Sequence, residues 1–168
     1  MQMKLPANQK IQISLRNKFL KKGVKMISPE TIFFSKDTKI GKNVTIEPYV
    51  VILDKVSIKN NVRVCSFSHL ENVKVENNVS IGPYARIRPG TTLKSGSKIG
   101  NFVEIKKSKT TIKDKVFVGS NSSLVAPVVL NKGSVIGAGS VITKNVNKNS
   151  LALTRPSQKE KKNYRSKK

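Results

Sequence analysis

Tryptophan is missing from this sequence, cysteine and histidine occur once each, and nine acids stand against 33 lysines and arginines. Each scarcity excludes something. The single cysteine, Cys65, rules out an internal disulfide framework. One histidine, one cysteine and nine acids offer no ligand spacing of the usual kinds, so no metal site is expected. No apolar run is long enough to cross a bilayer, and the N-terminal MQMKLPANQKIQISL has no apolar core of a signal peptide. A soluble cytoplasmic protein is therefore expected. With three Tyr and six Phe, rings for stacking nucleobases are few, and nothing resembles an RNA-binding motif, so nucleic acid is not the expected primary partner.

What is present is aliphatic and basic. Hydrophobic residues make up 37% of 168 residues, enough for one core, and that core must be Ile, Val and Leu, which favour strands. The formal charge of +24 reads chiefly as a solubilising lysine surface, with anionic metabolites, membranes or nucleic acid as the alternative partners.

The aliphatic residues are periodic. Ile40, Ile46, Ile52, Ile58, Val64 and Leu70 are six apart. So are Val75, Ile81, Ile87, Leu93, Ile99 and Ile105, and then Ile112, Val118, Leu124, Leu130, Ile136 and Ile142. The runs are separated by a five-residue slip at Leu70–Val75 and a seven-residue slip at Ile105–Ile112. Small or β-branched residues follow four positions later, among them Val44, Val62, Ala85 and Val103, and turn residues such as Gly41, Gly82 and Gly119 follow directly. Helices need spacings of three and four, and exposed strands alternate. A six-residue unit makes one short strand and one corner. Three units close a triangular coil, and coils stack as parallel strands about 4.8 Å apart. The expected fold is all-β, a parallel β-helix of hexapeptide repeats over residues 27–147.

The ends differ. In Ala7–Lys22, Ile11, Leu15 and Phe19 recur every four residues, with Pro6 before and Gly23 after, which predicts a helix within a 1–26 linker that caps the open coil. After Val146 the period is lost. From Lys144 to Lys168 there are nine Lys or Arg and one acid, so residues 148–168 are expected to form a basic, flexible tail.

The stretches SPETIFFSKDTKIGKNVTIEP, SFSHLENV, IGPYARIRPG, IGNFVEIKK, VFVGSNSSLVAPV, IGAGSVITKNV and LALTRPSQ carry a resemblance. From Ile27 to Gln158 the chain resembles the acetyltransferase half of the bifunctional bacterial enzyme of UDP-N-acetylglucosamine synthesis. That enzyme is both a glucosamine-1-phosphate acetyltransferase and an N-acetylglucosamine-1-phosphate uridyltransferase. The resemblance implies a left-handed β-helix, a homotrimer with sites between subunits, acetyl-CoA as co-substrate and a role in peptidoglycan and lipopolysaccharide precursors. It places Arg88 and Lys106 on the amino sugar phosphate. It places Ser120, Ala138 and Arg155 on acetyl-CoA.

Two departures matter. The uridyltransferase half is absent, so no nucleotide transfer is expected. The family's stretch with the catalytic histidine is also missing, and Ser108-Lys109 stands in its place at the seven-residue slip. Amide formation from an ammonium needs a base, and the catalytic residue is therefore unassigned. His69, the only histidine, lies in the first run, away from the slip, and reads as a coil residue more readily than as a surrogate base. Two functions remain open: an impaired acetyltransferase, or a non-catalytic paralogue that binds an anionic ligand or a protein partner.

Overall fold

The structure, a computed structural model, describes residues 7–106, 109–154 and 157–161. Arg155 and residues 162–168 of the basic tail lie outside the described residues. Strands of two or three residues stack into three parallel sheets. Sheet A runs from Lys25–Met26 to Leu151–Ala152, sheet B from Phe33–Phe34 to Val141–Ile142, and sheet C from Lys39–Ile40 to Val128–Leu130. Successive strands rotate through A, B and C, giving a left-handed parallel β-helix. Ordered strands reach beyond the 27–147 span expected from the repeat, because Lys25–Met26 pairs with Thr45–Ile46 and Leu151–Ala152 with Val135–Ile136.

The six-residue register is the inward register. Ile46, Ile52, Val64, Leu70, Ile87, Ile105 and Leu124 are fully buried. Ile40 is half-buried, since its strand begins sheet C and no rung covers it. The small residues fill the corners: Val44, Val50, Ala85 and Val103 are buried. Ser68, Ser97 and Ser122 take equivalent corners, where a methyl-sized polar group fits if its hydroxyl finds an acceptor. Ser68 Oγ donates to the Gly82 carbonyl at 2.8 Å and Ser97 Oγ to that of Lys94 at 2.8 Å.

Both slips fall at the same place, the corner from sheet B to sheet C. The ladders absorb them. Val73–Val75 pairs with Thr91–Leu93 after the short corner, and Thr91–Leu93 pairs with Thr110–Ile112 after the long one. Helix α1, Ala7–Lys21, lies over the first rung of sheet B. It buries Gln12, Leu15 and Phe19, and Gly23 at φ +82° ends it. Among the described residues no helix is long and apolar enough to cross a membrane.

Candidate active site

Arg88 and Lys106 leave consecutive rungs of sheet B at the B–C corner. Ile87 pairs with Ile105, so the two residues that follow stand one above the other. The Arg88 amide donates to the Ile105 carbonyl at 3.2 Å and the Lys106 amide to that of Leu124 at 3.1 Å. Lys106 is exposed. The Arg88 side chain is 40% exposed, with Nη2 donating to Glu104 Oε1 at 2.7 Å and Nε buried without a partner among the described residues. A half-exposed ion pair contributes little, under about 1 kcal/mol, so an anionic oxygen can compete for this guanidinium. An unsatisfied buried donor adds to its demand for an acceptor.

His69 belongs to the same neighbourhood, which its position in the chain conceals. It pairs with Arg86, and Arg86 pairs with Glu104 on the rung that leads into the long slip. The expectation that His69 is remote from the slip is thus corrected: two rungs separate them, because stacking cancels the distance along the chain. Burial holds the His69 imidazole below the ordinary histidine range, with the charges of Arg86 and Arg88 acting the same way and Glu71 opposing them. The folded chain therefore binds this proton less tightly than the unfolded chain. The stabilising effect is complete above the unfolded value, about 6.5, and is lost as pH falls below it. Denaturant unfolding at pH 7.5 and 5.5 is expected to show a smaller pH difference in His69→Asn than in the wild type.

Ser120 and Ala138 stand on the other side of sheet B, at the A–B corner. Val118 pairs with Ile136, which places the two residues in one column. Ser120 Oγ accepts the Asn101 amide at 3.1 Å, and the Ser120 carbonyl accepts the Gly139 amide at 2.9 Å. Glycines hold this corner close. A Cβ on Gly119 would lie 2.6 Å from the Ala138 nitrogen, and one on Gly100 2.7 Å from the Ser120 nitrogen. Backbone cannot yield to such contacts, so Gly119→Ala is expected to destabilise by about 1–3 kcal/mol in urea unfolding.

One chain does not bring the two pairs together. Lys106 sits above Val125, and Ser120 lies five residues earlier in that coil. A span of that length is on the order of 15 Å. Arg155, the third residue expected on acetyl-CoA, lies outside the described residues. The sequence reading missed Arg86 and Glu104 beside Arg88. It also missed a column of rings at the A–B corner, Tyr49, Phe67, Tyr84 and Phe102, whose spacing of one coil was the available signal.

The family model described as bacterial transferase hexapeptide (six repeats) matches residues 37–72, 72–107 and 109–144. The protein named bifunctional protein GlmU from Zymomonas mobilis is 40% identical over 186 residues, covering 87% of this chain and 41% of its own length. Its namesake from a Bradyrhizobium is 41% identical over 192 residues, covering 90% and 43%. The chain thus spans about two fifths of the length of these relatives. Each matched span also exceeds the 168 residues present here, so the relatives hold residues within it that this chain lacks. Among solved structures, LpxA, a UDP-N-acetylglucosamine acyltransferase from Bacteroides fragilis, superposes with a TM-score of 0.73 at 16% identity over 80% of this chain and 59% of its own. A variant of the Bacillus cereus N-acyltransferase AntD, solved with dTDP-4-amino-4,6-dideoxyglucose and coenzyme A, gives 0.56 at 17% identity over 87% and 88%. At these identities the two structures speak for the fold alone. With three family matches that together cover residues 37–144 except residue 108, the protein belongs to the bacterial hexapeptide-repeat transferases, and what it shares with the bifunctional relatives is their hexapeptide-repeat part.

Proposed function

We propose that the chain is an acyltransferase of the glucosamine-1-phosphate N-acetyltransferase lineage, acting in the cytoplasm as a homotrimer, with binding retained and proton transfer impaired. The observation that carries this is the stacked pair Arg88 and Lys106, with the Arg88 guanidinium half-exposed and incompletely bonded. A forked donor above a point charge suits a phosphate oxygen set. Acetyl-CoA would lie at Ser120 and Ala138 and reach Arg155, and the separation of the two corners supports a site shared between copies. The lineage's base is missing, and loss of general-base assistance slows such transfers by about 10²–10⁴-fold. Because the relatives hold residues that this chain lacks, a second reading also has support: a non-catalytic β-helix that binds an anionic ligand.

Calorimetric titration with acetyl-CoA and with glucosamine-1-phosphate, followed by a thiol-release assay, tests both. Both ligands are expected to bind. Arg88→Ala is expected to weaken the sugar phosphate by about tenfold or more, the worth of one charge-assisted contact, and to leave acetyl-CoA unaffected. Binding with no turnover above background selects the second reading. Binding of neither ligand overturns the first reading.

A further inference from the structure

Positive charge is not spread evenly over the solenoid. At a regular corner a coil turns through three residues and then an inward one. At the A–B corner the turns are residues 47–49, 65–67, 82–84, 100–102, 119–121 and 137–139, and none of them is Lys or Arg. The B–C corner sets Lys36 and Lys55 against Asp37 and Asp54 and carries Arg88 and Lys106. At the C–A corner, from sheet C to sheet A, six of seven tiers carry a lysine: Lys42, Lys59, Lys94, Lys113 with Lys115, Lys132 and Lys148. The tiers are held in line by a backbone bond at every step, from the Asn61 amide to the Lys42 carbonyl at 3.0 Å down to the Asn149 amide and the Lys132 carbonyl at 3.1 Å. Six steps of about 4.8 Å make a ridge roughly 29 Å long. The acids of this ridge are Glu76 and Asp114. Glu76 holds Lys59 at 2.6 Å and lies 3.9 Å from Lys94. The other five lysines are exposed and make no ion pair among the described residues. A lysine surface kept for solubility alone has both signs interspersed and does not load one corner while leaving another bare.

We propose that this ridge binds the backbone of duplex nucleic acid, by charge and without reading its sequence. A duplex carries one negative charge per about 1.7 Å of its axis, so about 17 phosphates lie along a ridge of this length. A small anion would meet only one or two of the tiers. The residues between the lysines serve the same contact. Asn43 Nδ2 donates to Asn61 Oδ1 at 3.2 Å, and Asn61 Nδ2 to Asn78 Oδ1 at 3.1 Å. A side-chain amide has two N–H groups and the ladder takes one, so each of these exposed residues keeps a donor for a phosphate oxygen. Two other occupants fit less well. Single strands are held by stacking their bases on rings. No turn residue of the ridge is aromatic, and the rings of the A–B corner are stacked on one another. Membrane surfaces are held by basic residues set beside apolar ones that enter the lipid. The turn residues here are Lys, Asn, Ser, Gly, Glu and Asp, with nothing apolar to insert. The scarcity of rings in the chain thus argues against base stacking and leaves backbone contact open. Arg88, Lys106, Ser120 and Ala138 all lie at the other two corners, so the ridge stands or falls apart from acyl transfer.

The test is fluorescence anisotropy of the full chain with a labelled DNA duplex of about 20 base pairs, over about 0.05 to 0.3 M sodium chloride. Five lysines outside ion pairs, at about 0.9 counterions each, give an expected slope of about −4.5 in log K against log salt. The triple variant Lys113→Gln, Lys132→Gln, Lys148→Gln is expected to bind about tenfold or more weakly and to flatten that slope by about 3. A control with the same loss of charge at the B–C corner, Lys36→Gln, Lys109→Gln, Lys144→Gln, is expected to stay close to the wild type. All six side chains are exposed and none of the six residues takes a positive φ, so both variants are expected to keep their β-sheet circular dichroism. Equal loss in both triples, or loss in neither, overturns the ridge. Wild-type measurements decide even if a variant fails to fold. A wild type that does not bind the duplex, that binds a single strand of the same length as tightly, or that binds phosphatidylserine vesicles in its place overturns the proposal.

Discussion

Inserting two histidine-bearing coils between Lys106 and Lys109 is expected to raise acetyl transfer by about 10²–10⁴-fold, the usual worth of a positioned general base. The solenoid should accept them. In such a fold each coil contacts only its neighbours, so added coils replace one interface with two of the same kind. The rungs that would part are few. Glu104–Ile105 now meets Ser123–Leu124, Thr91–Leu93 meets Thr110–Ile112, and Lys98–Ile99 meets Phe117–Val118. An inserted coil offers equivalent parallel partners to each. The donor segment comes from the relatives, whose matched spans exceed the length of this chain. The insertion leaves Arg88 and Lys106 on adjacent rungs and Ser120 and Ala138 in one column, while an inserted coil replaces Asn101 and Gly100 as the neighbours of Ser120. A second insert whose histidine is replaced by alanine separates base catalysis from improved binding. A folded, ligand-binding insert with no gain over that control would show that the missing base is not what limits the chain.

The inward register was legible from Ile40 to Ile142, because burial demands an aliphatic residue at each of those strands and the period of six is unbroken within each run; Phe34, Met26 and Ala152, at the two ends, fall outside those runs. Which residues share a site was legible only where coils are regular. Arg88 and Lys106 are eighteen apart, one undisturbed coil, and their adjacency follows directly. His69 and Arg86 are seventeen apart because the short slip removes a residue from their coil, while Glu104 and Ser123 are nineteen apart because the long slip adds one. Counting by six or eighteen therefore puts His69 out of register with its partner. The ring column was hidden for a further reason. Its members sit at a corner and not on the inward face, so the aliphatic period does not mark them, and only their one-coil spacing does.

Gln12 sits where the ladder of sheet B begins, and replacing it with Ala is expected to cost about 2–6 kcal/mol. Phe33–Phe34 is the first strand of sheet B, with no rung above to take its backbone groups. Helix α1 supplies a substitute. Gln12 Nε2 donates to the Phe34 carbonyl at 2.8 Å, and its Oε1 accepts the Phe34 amide at 2.9 Å. Arg16 Nε adds a bond to the Ile32 carbonyl at 2.9 Å, and Phe19 packs on Phe34 with centroids 4.8 Å apart. Alanine would strand two buried backbone groups, at about 1–3 kcal/mol each. Gln12→Glu separates hydrogen bonding from shape. An ionised carboxyl still accepts the Phe34 amide but opposes the Phe34 carbonyl, whereas a protonated one can serve both. Its folded-state pKa is therefore expected to be raised, so this variant loses stability as pH rises above the unfolded value, about 4.3, and through the folded one. Denaturant unfolding at pH 4.0 and 7.5 reads this directly. Equal losses at both pH values would mean that Leu15, Phe19 and Arg16 hold the helix and that the amide pair contributes nothing to closing the open end.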